Sequence, residues 1–229
     1  MMNDEIQGKL RPISDIFKLD AGNSSFGSTL ESDHLFLSQI TLSESVPADV
    51  RQLFETAKNL SLYSWFVYRF HQVAELIGFS AMEMALRERY VSELPADEEP
   101  AIGAENGLKK RRRTPSLSAL LTHAQNKHWI TNHGFPDFYE IAYRAAQAKK
   151  RDEIIQSGAL NVDESVEIPY PTEEEINAAL SSLDIVGGIV KYAPILRNDL
   201  AHGSAMLLPG SISTLKKIAD LINQIFTKP

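Results

Sequence analysis

Apolar residues recur every three or four positions along most of the chain after residue 46, which is the spacing of one face of an α-helix. The longest such pattern runs from Leu60 to about Leu94 and predicts a central helix with a bend at Gly78. Its apolar positions are Leu62, Trp65, Phe66, Phe70, Val73, Leu76, Ile77, Met82, Leu86 and Tyr90. A shorter helix is expected to open at Pro47, since proline is favoured in the first helical turn.

Helix-start signals divide the second half of the chain. Thr114-Pro115-Ser116 and Pro136 each predict the start of a helix. The run from Thr172 to Glu175 matches a capping box, in which a threonine and the glutamate three residues later bond each other's helix-start amides. The helix that follows is predicted to continue to Leu196, with a kink or restart at Pro194 because proline has no N–H to donate.

Residues 1–46 show no helical period, and we predict an irregular N-terminal arm there. The alternation of apolar and polar residues from His34 to Leu42 favours an extended segment or a short strand within this arm. Residues 47–229 are predicted to form one helical domain, closed by a helix that starts at about Ser213. The expected fold class is therefore all-α, a bundle of four to six helices with an irregular arm.

The composition is that of a folded protein without disulfides. The 229 residues are 43% hydrophobic and include no cysteine, so a packed core is expected and thiolate metal sites are excluded. No stretch has the roughly 18 uncharged residues that a membrane span requires, and the N-terminal residues lack the basic-then-apolar order of a secretory signal. We therefore expect a cytoplasmic protein without a transmembrane helix or a membrane partner.

The formal net charge of −7 excludes a protein whose whole surface binds nucleic acid, so an RNA site would be local. Residues at about 95–115 are expected to form a mobile charged loop, in which an acidic run precedes five consecutive basic residues. The basic residues, which are candidates for RNA binding, are Lys109, Lys110, Arg111, Arg112 and Arg113. Charge blocks are typical of solvated loops, and that interpretation is compatible with a role in gripping RNA.

The segment Arg197-Asn198-Asp199-Leu200-Ala201-His202-Gly203 places a permanent cation and a titratable imidazole five residues apart where a helix is predicted to end. Arg197 stays charged and can fork onto a phosphate, and His202 can give or take a proton near neutrality. This combination suits phosphodiester cleavage. The alternative is a helix end, with basic residues against the negative end of the helix dipole and glycine in the left-handed position.

The string LRNDLAHG resembles the R-x4-6-H signature of the HEPN superfamily of all-α ribonuclease domains, in which a polar residue such as Asn often follows the Arg. Arg197, Asn198 and His202 match that signature as the catalytic residues. The resemblance implies a HEPN-like bundle that dimerises around a composite active site and cleaves RNA without a metal or cofactor. It also implies a toxin or an effector of abortive infection and antiphage defence, with a cognate antitoxin as a further partner.

The same family contains inactive members. The alternative function is therefore a non-catalytic helical module that binds RNA, a nucleotide or a protein. In a catalytic member, His202 would act as general base or acid, Arg197 would neutralise charge on the phosphate oxygens, and Asn198 would orient His202 or bond the phosphate. Asp199 either pairs with Arg197 and weakens it or points away.

A straight helix would separate Arg197 and His202 by about 140° around its axis. The two side chains then converge in one of two ways. Either the helix unwinds near Ala201, as Gly203 permits, or a second copy of the chain supplies the missing partner. The family resemblance favours the second copy.

Other chemistry-bearing residues are interpreted as structural. His123, His128 and His133 are spaced by five, whereas metal pairs on a helix prefer three or four, so we expect packing and no metal site. Glu75 and Glu83 are interpreted as solvated or paired acids, and Glu83 is the one that can abut the motif. An aromatic cluster is predicted to belong to the core: Tyr63, Trp65, Phe66, Tyr68 and Phe70.

Overall fold

The computed structural model describes residues 10–23, 27–94, 104–105, 108–109, 115–157, 168–203 and 210–227. Within these ranges the secondary structure is almost entirely helical. The helices are α1 (Leu30–Gln39), α2 (Ala48–Tyr63), α3 (Phe70–Ser92), α4 (Leu117–Asn126), α5 (Phe138–Gln156), α6 (Glu173–Ser182), α7 (Ile185–Ala201) and α8 (Ser211–Phe226). Two short strands, β1 (Ala104–Glu105) and β2 (Leu108–Lys109), pair antiparallel. The all-α class is confirmed, but the described residues contain more helices than the predicted four to six.

The chain divides into two compact units, and the division differs from the predicted one at residue 46. The first unit comprises Met1–Ile130 and Val190–Pro229, and the second comprises Thr131–Ile189. Helix α1, in the predicted arm, therefore belongs to the same unit as α2, α3 and α8.

Residues 30–39 are helical, so the prediction of an extended segment there is wrong. Thr29 and Ser32 form a capping box, in which each side chain accepts from the other residue's backbone N–H at 3.1 and 2.9 Å. The buried apolar residues of this segment, Leu37 and Ile40, are three apart. This helical spacing and the cap outweigh the alternating pattern.

The predicted helix from Leu60 to Leu94 is interrupted, because α2 ends at Tyr63 and α3 begins at Phe70. Residues of the N-terminal arm satisfy the backbone groups that the break exposes. The Asn23 side chain donates to the Ser64 carbonyl at 2.7 Å, and the Asp20 carboxylate accepts from the Tyr68 N–H at 3.1 Å. The break thus depends on contacts between distant residues, which helical periodicity does not report.

Gly78 lies inside α3 and serves a contact between helices. A Cβ built on it would lie 2.6 Å from Cδ2 of Leu215 on α8, so the missing side chain lets α8 approach α3. Helix α3 continues through this residue.

The aromatic cluster predicted as core lies instead around the junction of α2 and α3. Tyr63 is exposed and the other members are half-buried. The fully buried side chains of the first unit include Val50, Phe54, Met82, Leu86, Leu120, Leu121, Leu215, Leu221, Ile222 and Ile225. The core therefore sits between α2, α3, α4 and α8.

The second unit is built on the packing of α5 against α6. Ala142, Ala146 and Ile176 form its buried cluster. The predicted capping box is confirmed: the Thr172 N–H donates to the Glu175 carboxylate at 2.6 Å, and the Glu175 N–H donates to the Thr172 hydroxyl at 3.3 Å. The predicted helix starts after Ser116 and Pro136 are also confirmed by α4 and α5.

The helix predicted to run from Thr172 to the motif is two helices, α6 and α7. The Asp184 carboxylate starts α7 by accepting from the Gly187 N–H at 2.8 Å. A Cβ on Gly187 would lie 2.0 Å from that carboxylate, so glycine makes the cap possible. Helix α7 then continues through Pro194 to Ala201, so of the predicted kink or restart the restart does not occur.

The stretch Glu173–Ala201 is long and apolar enough to cross a membrane by length and composition alone, and 11% of its apolar window is buried. Asp184 and Lys191 lie within it, so it contains no run of 18 uncharged residues. On α7 the low burial leaves Tyr192, Ile195 and Leu196 each about half exposed. An apolar surface therefore lies just before the motif.

Candidate functional site

The motif occupies the last turn of α7 and the turn that follows it. The His202 N–H still donates to the Asn198 carbonyl at 2.9 Å, so the helical geometry persists to His202. Gly203 then takes the left-handed conformation, with φ of 86°, and ends the helix. The helix does not unwind between Arg197 and His202, so the first predicted route to their convergence is wrong and the two remain about 140° apart around its axis.

Arg197 reaches α3 and pairs there with Glu83. Its Nη2 lies 3.3 Å from Oε2 of Glu83, and the other oxygen of Glu83 accepts a short hydrogen bond from Nη2 of Arg87, one turn further along α3. The Glu83 side chain is 13% exposed, whereas those of Arg197 and Arg87 are 35% and 43% exposed. The carboxylate is thus largely covered while both arginines remain accessible. All three residues belong to the first unit.

This trio, called the arginine cluster below (Glu83, Arg87, Arg197), confirms that Glu83 is paired and abuts the motif. One carboxylate faces two guanidinium groups, and guanidinium does not lose its proton in proteins. The cluster therefore keeps an excess positive charge at the end of α7. Such a group attracts phosphate.

The other motif residues lie on the surface. Asn198, Asp199 and His202 are exposed. Asp199 was expected either to pair with Arg197 or to point away, and the ion pair of Arg197 is made with Glu83 instead. In the parts of the chain that the structure describes, no side chain hydrogen-bonds to the His202 ring. The structure therefore joins Arg197 to α3 and leaves His202 accessible to solvent.

A closed chain of hydrogen bonds anchors α8, the helix that follows the motif. Its four members, called the serine–histidine chain below, are buried: Ser61, Ser64, His71 and Ser211. Because the Ser64 hydroxyl donates to the Ser61 carbonyl at 2.6 Å, it accepts from Nε2–H of His71 at 3.1 Å. In a neutral ring protonated at Nε2, Nδ1 of His71 accepts from the Ser211 hydroxyl at 2.6 Å, and Ser211 accepts from Ser61 at 2.7 Å. A neutral imidazole thus satisfies every member of the chain.

Burial lowers the pKa of His71 to about 4, in agreement with a neutral ring. Glu75, one turn further along α3, accepts from the Thr214 hydroxyl at 2.9 Å. Burial raises the pKa of the Glu75 carboxyl. Both side chains therefore belong to the contact between α3 and α8, and Glu75 is paired as predicted.

The histidines spaced by five occupy separate surroundings. The His123 ring meets the rings of Tyr90 and Trp129 edge to face, with centroids 5.2 and 5.0 Å away. His133 meets Phe138 in the same way at 5.0 Å. The predicted packing role is confirmed for His123, whereas His133 is exposed beside Phe138.

The predicted basic patch lies mostly outside the described residues. The backbone of Lys109 belongs to β2, and Lys110, Arg111, Arg112 and Arg113 are not described. RNA binding by this run stays a prediction.

Sequence reasoning missed Arg87 as a member of the site. The signal was present, because Glu83 and Arg87 are four residues apart on a predicted helix, the spacing at which opposite charges pair. Apart from the expectation that Glu83 can abut the motif, nothing in the sequence indicated that Glu83 pairs with Arg197. It is a contact between residues far apart in the chain.

Neither a protein-family model, nor a curated protein, nor a solved structure matches the chain. A function must therefore be argued from the residues of the site.

Proposed function

We propose that the chain is a metal-independent endoribonuclease of the HEPN type. The observation that carries the proposal is the end of α7, where Arg197 is fixed against α3 with part of its side chain accessible and His202 stands exposed one turn later. A fixed cation and an accessible imidazole are the groups that phosphodiester cleavage needs. The all-α fold agrees with the family that the motif resembles.

In the proposed reaction the ribose 2′-OH attacks the adjacent phosphorus, and the bond from phosphorus to the 5′-oxygen breaks. The 2′-OH proton goes to a general base and the leaving 5′-oxygen takes a proton from a general acid. The products are a cyclic phosphate and a 5′-OH. RNA is the substrate because DNA has no 2′-OH.

His202 serves as one of the two proton-transfer groups, a role that contributes about 10² to 10⁴-fold in rate. Arg197 neutralises the charge that grows on the non-bridging oxygens, which is worth about 3 kcal/mol for one well-aimed donor. Asn198, on the same helical face as His202, orients the imidazole or bonds the phosphate.

A second copy of the chain completes the proposed site. Within one chain α7 keeps Arg197 and His202 on different sides of the helix, and the half-exposed Tyr192, Ile195 and Leu196 lie on the preceding turns. Pairing of two α7 helices across a two-fold axis covers this apolar surface. It also brings two copies of the motif to one cleft, so that one imidazole acts as base and the other as acid.

The biological setting is proposed from the family resemblance. We place the chain among toxins or effectors of antiphage defence and abortive infection, acting on RNA in the cytoplasm. A cognate antitoxin is then a further partner.

The experiment is incubation of the purified protein with structured RNA and excess chelator. Fragments ending in cyclic phosphate are expected, and Arg197→Ala or His202→Ala should abolish them. Asp199→Asn, an exposed change in the same turn, is the matched control. Circular dichroism and the mass in solution show whether each variant keeps its helices and its dimer. Equal cleavage by wild type and both alanine variants would contradict the proposal.

The alternative is a helical binding module that recognises RNA, a nucleotide or a protein. The pairing of Arg197 with the largely covered Glu83 favours it, since this contact also ties α7 to α3 without any chemistry. A protein that binds RNA but yields no cyclic phosphate would establish this function.

A further inference from the structure

The arginine cluster contains a cation that the motif does not include. We propose that Arg87 and Arg197 together form a two-guanidinium site for a phosphate of the RNA backbone, with Glu83 holding them side by side. This rests on RNA as the ligand of the proposed function, but it does not require that the RNA is cleaved.

The ion pairs of Glu83 bring the two guanidinium groups together. Nη2 of Arg87 and Nη2 of Arg197 contact the two oxygens of the same carboxylate. Each guanidinium has five N–H donors, and one nitrogen of each contacts Glu83. Since Nε of each is buried, the donors left for a ligand are on the Nη atoms, and those of two adjacent guanidinium groups match the several acceptor oxygens of a phosphate.

The buried and exposed atoms of Arg87 and Arg197 decide which donors can meet a ligand. Nε of Arg87 and Nε of Arg197 are buried, and the described part of the chain gives them no hydrogen-bond partner. The exposed part of each side chain therefore lies away from Nε. Because Glu83 already fixes both side chains, a phosphate would meet donors that lose little freedom on binding.

Charge distinguishes Arg87 from its neighbour Arg89. Arg89 has a carboxylate of its own, Glu93, at 3.1 Å, and its guanidinium lies over the Trp129 ring at 5.6 Å. Arg87 shares its only ion-pair partner among the described residues with Arg197. The excess positive charge thus belongs to the arginine cluster, whereas the charge of Arg89 is balanced by Glu93.

The experiment measures the binding of a 2′-O-methyl RNA oligonucleotide, which has no free 2′-OH and so stays intact. Fluorescence anisotropy gives Kd over a range of salt concentrations for wild type, Arg87→Gln and Arg89→Gln. Arg87→Gln should weaken binding about five- to tenfold at low salt. It should also reduce the slope of log K against log salt by about 0.7, the value for one lost phosphate contact on a single strand.

Arg89→Gln is the matched control, because it removes the same charge from the same helix at a similar exposure. It should leave the slope unchanged. Arg87→Gln in an Arg197→Gln background should lose less binding than in wild type, since both arginines hold one phosphate. Arg87→Lys, the conservative variant, should keep the slope and bind more weakly than wild type, because lysine keeps the charge without the fork.

Equal slopes for Arg87→Gln and Arg89→Gln would overturn the proposal, as would a wild-type protein that does not bind the oligonucleotide. Cleavage of ordinary RNA is scored separately. If Arg87→Gln reduces the salt slope and ordinary RNA is not cleaved, the phosphate site is supported and the ribonuclease activity is contradicted. If cleavage depends on Arg197 and His202 but Arg87→Gln and Arg89→Gln have equal slopes, the ribonuclease activity is supported and Arg87 does not bind the phosphate.

Discussion

Helix α3 carries two polar groups of opposite design, and the difference separates a structural role from a functional one. In the serine–histidine chain each hydroxyl and each ring nitrogen of the imidazole has a partner, and no net charge is held there. In the arginine cluster one carboxylate serves two cations, and both arginines reach solvent. A closed, neutral network has nothing left to offer a ligand, whereas an open, charged one does.

The first prediction concerns the removal of the Ser211 hydroxyl from the serine–histidine chain. Ser211→Ala removes the donor to His71 and the acceptor of Ser61, so two buried polar groups lose a partner. The loss of unfolding free energy should be about 3 kcal/mol, because each buried unpaired group costs about 1–3 kcal/mol. Denaturant unfolding measures it.

Ser213→Ala is the control for that variant. It changes an exposed serine on the same helix and should cost a few tenths of a kcal/mol, as is usual for surface substitutions. A loss as small for Ser211→Ala would mean that the buried chain does not stabilise the fold.

The second prediction concerns the protonation of His71 in the serine–histidine chain. The pKa of His71 is lowered to about 4 in the folded protein, whereas an unfolded histidine titrates near 6.5. Between these values the unfolded state binds more protons, so the stability that the neutral ring provides is full above pH 6.5 and is lost as pH falls to about 4. The loss should be about 2 kcal/mol once solvent screening is allowed for.

Unfolding curves at several pH values test this in wild type and in His71→Gln, which should lose most of its stability change between pH 6.5 and 4. His34→Gln, which changes an exposed histidine on α1, should keep the wild-type dependence. The same pH profile in all three proteins would show that His71 takes its proton as easily folded as unfolded.

Local signals in the sequence predicted the parts of the fold that depend on neighbours. Ser116 and Thr172 cap helices as predicted, because a cap is a contact between residues three apart. The break between α2 and α3 has no glycine or proline, and it depends on Asp20 and Asn23 from the distant arm. Helical periodicity alone therefore predicted one helix where the structure has two.

The same division applies to the candidate site. The sequence predicted that Arg197 and His202 lie at a helix end, and the left-handed Gly203 confirms it. It did not predict the second arginine, because Arg87 joins the site only through Glu83, which also pairs with Arg197 from the distant α7. It also left open whether Asp199 pairs with Arg197 or points away, since sequence proximity does not show which acid a long side chain reaches.

The last and smallest predicted effect follows from removing the carboxylate of the arginine cluster. Glu83→Ala leaves Arg87 and Arg197 as adjacent like charges, so the protein should lose about 1 kcal/mol of unfolding free energy at low salt. Salt screens charges that reach solvent, so added salt should recover part of this loss. Glu88→Ala, an exposed change on the same helix, should cost less and respond little to salt. The loss in Ser211→Ala should not recover with salt, because a buried neutral hydrogen bond is not screened. A Glu83→Ala loss that ignores salt would mean that the arginine cluster acts through packing and not through charge.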